Sequence, residues 1–342
     1  DEESICALFA ACLRGDAETA SILLTAGVAP DAFRHDGSTP LLIACYKGHA
    51  GSVAILLAAK ATVEHRRRDG ATPLNVACQM GHTAIVSNLI DARAAVDGMT
   101  NDGIFPLAIA CQNGHSAMVS TLLAARATVD PIAGICPLLV ACQQGHEKVA
   151  SILLAAGAAV NRTRNDDGAG PLFFVSQTGR TEMASMLVAA KALVDHPRLC
   201  DGVCPLFVAC QNGHTETASV LLAAGAAVGR ARDDGVFPLL IACYRGHAGT
   251  VSMLLAARAA VDQVDADGVT PLCAACYDGH VRTASILLGA GAAVDRARKD
   301  GIFPLFIACQ KGDYEMARTL IRSRAVVDRA RDDGVFPLFM TC

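Results

Sequence analysis

The sequence predicts an all-α solenoid, and three observations predict it. The first is a period. A Pro-Leu pair falls at Pro40, Pro73, Pro106, Pro137, Pro171, Pro205, Pro238, Pro271, Pro304 and Pro337, with successive gaps of 33, 33, 31, 34, 34, 33, 33, 33 and 33 residues. A fixed period of this size marks stacked structural units. The second is that apolar residues recur at helical spacing within each period, as Ala218, Val220, Leu221 and Leu222 do. The third is regular glycine punctuation, which divides each period into two short helices. A length of 342 residues alone points to about two domains. Stacked units share one elongated core, however, so the expectation is a single array over 1–342. It has a partial first unit (1–33), full repeats over about 34–333 and a partial last unit (334–342).

Each element has its own justification, and the stretch Asp201 to Val228 (DGVCPLFVACQNGHTETASVLLAAGAAV) shows them in order. Asp-Gly supplies a tight turn in which glycine accepts positive φ. It recurs as Asp36-Gly37, Asp69-Gly70, Asp102-Gly103 and Asp234-Gly235. Pro follows three residues after that glycine, and its fixed φ suits the first turn of a helix. A short helix of the Leu-Phe-Ile-Ala-Cys type follows, ended by a glycine such as Gly48, Gly81, Gly213 or Gly246. The second helix, as in Thr215 to Ala224, carries the apolar stripe and stops at Gly225. Neither helix can bury its stripe alone.

These residues resemble the ankyrin-repeat family, whose repeat is 33 residues long with a T-P-L-H-x-A signature. Thr39-Pro40-Leu41, Thr72-Pro73-Leu74 and Thr270-Pro271-Leu272 keep its start, and the later Gly-His, Leu-Leu and Gly-Ala match the rest. The resemblance covers essentially the whole chain. It implies short β-hairpin fingers, a curved superhelix with a concave recognition face, and a Gly-His imidazole that bonds backbone in the neighbouring loop. Two features depart from the family. The signature His is Leu, Phe, Asn, Ala or Cys here, and its Thr is often Phe (Phe105, Phe237, Phe303, Phe336) or Cys. Apolar packing therefore replaces the family's Thr–His hydrogen bond. Irregular repeats cluster in the middle of the chain. Val129 to Pro137 is two residues short, with Ile132-Ala133-Gly134 in place of Asp-Gly, and the fingers around 161–170 and 196–204 are each one residue longer. Ser176 and Arg180 replace the recurring Cys and His there. A local change of superhelical path is expected at this point.

Composition excludes several functions. Net charge is −4 with a pI near 6.2, so there is no basic footprint for nucleic acid. Mean hydropathy is +0.37. Yet apolar stretches such as Ala150 to Val160 are about half the ~20 residues a spanning helix needs. Of fifteen cysteines, ten (Cys12, Cys45, Cys78, Cys111, Cys142, Cys210, Cys243, Cys276, Cys309 and Cys342) share one slot of the repeat. Equivalent positions in stacked helices lie roughly 8–10 Å apart, beyond the ~7 Å Cα separation a disulfide allows. Free buried thiols fit an intracellular, reducing compartment and a cytoplasmic location.

Motifs that resemble chemistry have structural readings. Cys and His recur four apart (Cys45 and His49, Cys111 and His115, Cys210 and His214, Cys243 and His247), a spacing open to metal or thiol chemistry. Glycine before each His ends the helix and turns the side chains apart. Cys273 and Cys276 are read as core, and Cys200 with Cys204 as a pair able to oxidise only if exposed. The Asp that precedes nine of the ten finger glycines is read as turn chemistry, its charge offset by Arg67, Arg232, Arg298 and Arg331. No catalytic residues, cofactor or metal site is expected.

What remains is a binding surface. In the family, the two residues before Gly-His and the finger tips line the face that holds partners. Here they include Tyr46-Lys47, Gln79-Met80, Gln112-Asn113, Gln211-Asn212, Tyr244-Arg245, Tyr277-Asp278 and Gln310-Lys311. Three of the four tyrosines of the chain fall in the first of these slots, and Tyr and Arg are frequent interface anchors. Alanine-rich second helices such as Ser151 to Ala159 favour burial in a larger assembly. The expected function is a non-catalytic interaction scaffold or structural subunit, without membrane insertion. The alternatives are a self-associating array and the recruiting arm of an enzyme whose catalytic domain lies elsewhere. The first unit begins directly at Ile5 to Cys12 with Ala7 in the Pro slot, and the last stops at Pro337 to Cys342. Neither end has a polar capping repeat, which reads as a segment of a longer chain or, alternatively, as ends that stack head to tail.

Overall fold

A computed structural model describes residues 2–131 and 135–330. Ile132-Ala133-Gly134 and the expected last unit, with Arg331, Phe336 and Cys342, lie outside the described residues. The chain divides into two compact units, Asp1–Arg162 and Thr163–Cys342, with the boundary among the irregular repeats.

In the first unit the helices run α1 (Glu2–Arg14), α2 (Ala17–Thr25), α3 (Pro40–Lys47), α4 (Ala50–Ala58), α5 (Pro73–Met80), α6 (Thr83–Asp91), α7 (Pro106–Gln112), α8 (Ser116–Ala124), α9 (Pro137–Gln144) and α10 (Glu147–Ala155). The second unit repeats the plan with α11 (Pro171–Thr178), α12 (Thr181–Ala189), α13 (Pro205–Gln211), α14 (Thr215–Ala223), α15 (Pro238–Tyr244), α16 (Ala248–Ala256), α17 (Pro271–Tyr277), α18 (Val281–Gly289), α19 (Pro304–Lys311) and α20 (Tyr314–Arg322). Within each unit, first helices pack on first helices of the next repeat and second helices on second. All described elements are helices, as the periodicity predicts. The fingers are tight turns, each closed by a few backbone bonds such as Arg67 N–H to Ala71 O at 3.0 Å and Gly70 N–H to Arg67 O at 2.8 Å. Among the described residues none is a strand, because so few bonds per finger do not make a ladder.

The first helices begin in two physically different ways. Thr39, Thr72 and Thr270 cap them by accepting from the N–H groups of Leu42, Asn75 and Cys273 at 3.3, 3.3 and 3.1 Å. Asn75, in the slot of the family's His, returns the favour by accepting from Thr72 N–H at 3.0 Å. Where the cap residue is Phe105, Phe237 or Phe303 there is no side-chain cap bond. The ring is instead at most 2% exposed, so apolar burial supplies what a hydroxyl supplies elsewhere.

The core is a ladder of small and branched residues. Leu41, Leu74, Leu107, Leu206, Leu239 and Leu272 from the first helices, with Leu56, Leu89, Leu221 and Leu254 from the second, are buried. Truncating one such leucine to alanine costs about 2–5 kcal/mol. The recurring cysteines Cys12, Cys45, Cys78, Cys111, Cys142, Cys210, Cys243 and Cys276 are buried and free, and Cys309 is half-buried. Burial pushes the Cys12 thiol up to about 11 and the Cys142 thiol up to about 12, so these sulfurs stay protonated and inert. Ser176 fits the same slot because its hydroxyl donates to Leu172 O at 2.6 Å one turn back.

A row of acids that periodic reading did not single out ties neighbouring repeats together. The Asp31 carboxylate accepts from Thr62 N–H at 2.7 Å and from its hydroxyl at 2.6 Å. Glu64 accepts from Ala95 N–H at 2.7 Å, Asp97 from Thr128 at 2.9 Å and Asp130 from Ala159 at 2.6 Å. In the second unit Asp195, Asp262 and Asp295 serve Ala227, Ala293 and Val326 at 3.1 Å. Two interior repeats depart from the row, with Asn161 and Gly229 in this slot, and Gly229 brings no side chain at all.

Candidate interaction surface

The Gly-His element shows why the two residues before it are presented outward. In α15 the chain leaves the helix at Arg245 and turns at Gly246, with φ +69°. A Cβ on Gly246 would lie 2.5 Å from Nδ1 of His280 in the next repeat. Glycine is thus required twice, for the left-handed turn and for the imidazole that fills its place. The His280 Nε2–H donates to Tyr244 O at 3.0 Å. His49, His146, His214 and His247 do the same to Leu13, Gln112, Gln177 and Gln211 at 3.0–3.2 Å. Each imidazole therefore clamps the end of the preceding first helix, in the structural role the resemblance implies. Cys45, Cys210 and Cys243 are buried, whereas His49, His214 and His247 reach backbone carbonyls of the preceding repeat. No group of three or more His, Cys, Asp and Glu able to hold a metal occurs among the described residues.

The clamp sets the geometry of the predicted positions. Tyr46, Lys47, Asn212, Arg245, Tyr277, Asp278, Gln310 and Lys311 are exposed, whereas Gln211 and Tyr244 are half-buried. Tyr46 and Tyr277 are each 49% exposed. The Lys311 ammonium sits 4.0 Å from the Tyr277 ring centroid, and Lys47 lies 5.4 Å from that of Tyr46, both within cation–π range. Asn212 donates to Gln177 O at 3.0 Å, tying it to the preceding repeat. Burial raises the Tyr244 phenol above its ordinary pKa, so this ring is partly committed to the fold. Tyr277 and Tyr244 lie in adjacent repeats of the second unit, and Tyr46 with Lys47 belongs to the first unit.

The finger aspartates are turn residues first. Asp69, Asp201, Asp234 and Asp300 accept from the N–H two residues on at 3.1–3.2 Å. They pair with Arg67, Arg198, Arg232 and Arg298 of the same finger. Hydrogen bonding to the arginine is the main cause that holds Asp69, Asp201 and Asp234 below the usual carboxylate range. The Arg198 and Arg232 guanidiniums also cover the Phe173 and Phe207 rings of the preceding repeat at 5.0 and 5.4 Å. Cys273 and Cys276 are both buried in the core. Cys200 is exposed but Cys204 is buried, so the pair is not presented together.

Comparison with known proteins agrees with this architecture. Models described as ankyrin repeats (3 copies) match residues 1–67, 59–133, 190–265, 206–298 and 239–331, and a model described as ankyrin repeats (many copies) matches 138–188. The chain belongs to the ankyrin-repeat family. Among solved structures it is similar to the ankyrin repeat domain of human ASB11, at 25% identity and a TM-score of 0.57. That match covers 64% of this chain and 98% of the other. No curated relative matches the chain. Ankyrin repeats are generally non-catalytic protein–protein interaction modules. Among the described residues no helix is long and apolar enough to cross a membrane.

Proposed function

We propose that this protein is a non-catalytic, intracellular scaffold that holds a protein partner on the ends of its first helices. Tyr244-Arg245 and Tyr277-Asp278 form the centre of the contact, flanked by Gln211-Asn212 and Gln310-Lys311. Tyr46-Lys47 adds a contact in the first unit. The observation that carries this reading is the Lys311 ammonium 4.0 Å above the half-exposed Tyr277 ring. An aromatic ring held in place before binding loses little entropy when a partner covers it. Arg245 at the end of α15 and Asp278 next to Tyr277 in sequence are exposed as well, adding a cation and an anion to the aromatic anchor.

The test is retention of proteins from native extract by the intact chain beside a Tyr244→Ala/Tyr277→Ala variant, with the thermal midpoint of both recorded. The expected result is a reproducible set of partners lost by a variant that still folds. Retention of the same set by the folded variant would exclude this face. Recovery of the chain's own copies alone would favour a self-associating array instead.

A further inference from the structure

The second helices of the second unit begin in two ways. α12, α14 and α20 carry a glutamate in the first turn, Glu182, Glu216 and Glu315, which complements the positive end of the helix dipole. α16 and α18 carry no acid there, because the same slot holds Gly249 and Arg282. Their N-caps do not compensate. His247 and His280 make no side-chain cap bond, and their Nε2 atoms are engaged by the carbonyls of Gln211 and Tyr244. These two helices are neighbours of nine residues each. An open cleft of about 590 Å³ lies at their N-termini, lined by Ala248, Gly249, His280, Arg282 and Thr283 among others.

Thr283 is a separate observation. It is 1% exposed, and its hydroxyl is buried with no hydrogen-bond partner. In the two preceding repeats the equivalent hydroxyl is satisfied, Thr217 by Thr181 at 2.9 Å and Thr250 by Thr215 at 2.8 Å. The position that would serve Thr283 is Ala248. An unsatisfied buried hydroxyl is destabilising, and here it belongs to the one buried residue lining the cleft. Arg282 is exposed and takes part in no ion pair among the described residues. Asp313, the cap of α20, is committed to Met316 N–H at 2.9 Å.

We propose that this cleft binds an oxyanion of the phosphate type, either free phosphate or a phosphoryl group on a larger molecule. Its oxygens accept from the Gly249 and Arg282 N–H groups in the first turns of α16 and α18 and from the Thr283 hydroxyl, and the Arg282 guanidinium neutralises its charge. The anion takes the place that Glu216 and Glu315 fill at sister helices.

The experiment is a titration of the isotopically labelled full chain with inorganic phosphate, against chloride at matched ionic strength, followed by backbone amide NMR. Saturable shifts are expected at Gly249, Arg282 and Thr283. Two variants borrow residues that sister repeats already accommodate. Arg282→Glu installs the charge found at Glu216, and Ala248→Thr gives Thr283 the partner Thr250 has. Each is expected to weaken binding about tenfold or more while the chain stays folded. Absence of saturable shifts at these amides, or an unchanged titration in folded Arg282→Glu, overturns the proposal. N-acetyl-phosphoserine amide binding more tightly than inorganic phosphate assigns the site to a phosphorylated side chain, and equal affinities assign it to the free ion.

Discussion

Gly229→Asp is expected to stabilise the second unit, and the structure sets the size of the gain. Seven carboxylates at the equivalent slot accept a backbone N–H of the next repeat at 2.6–3.1 Å. At Gly229 the corresponding donor is Ala260 N–H, and no side chain is available to receive it. The backbone accepts the change, since Gly229 is absent from the positive-φ residues. A new Cβ meets only Gln263 Oε1, at 3.2 Å, the end of a flexible side chain. One added hydrogen bond contributes about 0.5–1.5 kcal/mol, and loss of glycine freedom in the unfolded chain about 0.4–1 kcal/mol. The sum is about 1–2.5 kcal/mol. Stability in stacked repeats is a local quantity, so the assay is amide hydrogen exchange at Ala260 together with urea unfolding. Exchange at Ala260 is expected to slow by about tenfold, one decade per ~1.4 kcal/mol. The mirror change, Asp262→Gly, should speed exchange at Ala293 by a similar factor. If Asp262→Gly has that effect and Gly229→Asp leaves Ala260 unchanged or faster, the reasoning that the acid row clamps neighbouring repeats fails.

Three other outcomes follow from the same geometry. Arg93 closes its helix in the left-handed region at φ +68°, where a side chain costs roughly 1–2 kcal/mol and glycine almost nothing. Arg93→Gly should therefore raise the melting temperature despite loss of a favourable cation at the helix C-terminus, which is worth about 0.3–1 kcal/mol; a lower midpoint would show that the arginine has another stabilising partner. Asp69, Asp201 and Asp234 have carboxyl pKa values held down by arginine in the folded state. Their contribution is thus fully present above the unfolded value near 3.8 and lost as pH falls through the lower folded value. Urea midpoints that stay level from pH 5 down to pH 2.5 would contradict it. Native thiol labelling should reach Cys6 and Cys200, which are exposed, well before Cys45, Cys78 or Cys243, which are buried; equal rates would mean that the first-helix core opens readily.

The predicted surface illustrates how far one-dimensional reading carries. Tyr46 and Tyr277 stand exposed as their slot implies, because the glycine that ends each first helix leaves the preceding residues on its rim. Tyr244 occupies the same slot in sequence and yet is half-buried. No local pattern distinguishes it from Tyr277, since the difference comes from what the next repeat lays against it. The cation over Tyr277 belongs to Lys311, one repeat further on, a neighbour that only stacking supplies. The Cys-His spacing shows the reverse case. A glycine between the two residues is enough to predict that they part, and Cys45, Cys210 and Cys243 are buried while His49, His214 and His247 bond the backbone of the preceding repeat.

By itself the sequence determined the helices, their ends and their order, because each is set by residues a few positions apart: Pro at the start, glycine at the stop, and an apolar stripe of helical period. It also determined that the recurring cysteines remain free, since one repeat's rise exceeds the reach of a disulfide. Only the tertiary structure decided which polar atoms find partners. Thr250 and Thr283 occupy the same slot in consecutive repeats, and one is satisfied by Thr215 while the other faces Ala248. Hydrogen bonds act over about 3 Å. Whether a hydroxyl is paired, or left open to a ligand, therefore depends on a residue some 35 positions away that stacking brings beside it.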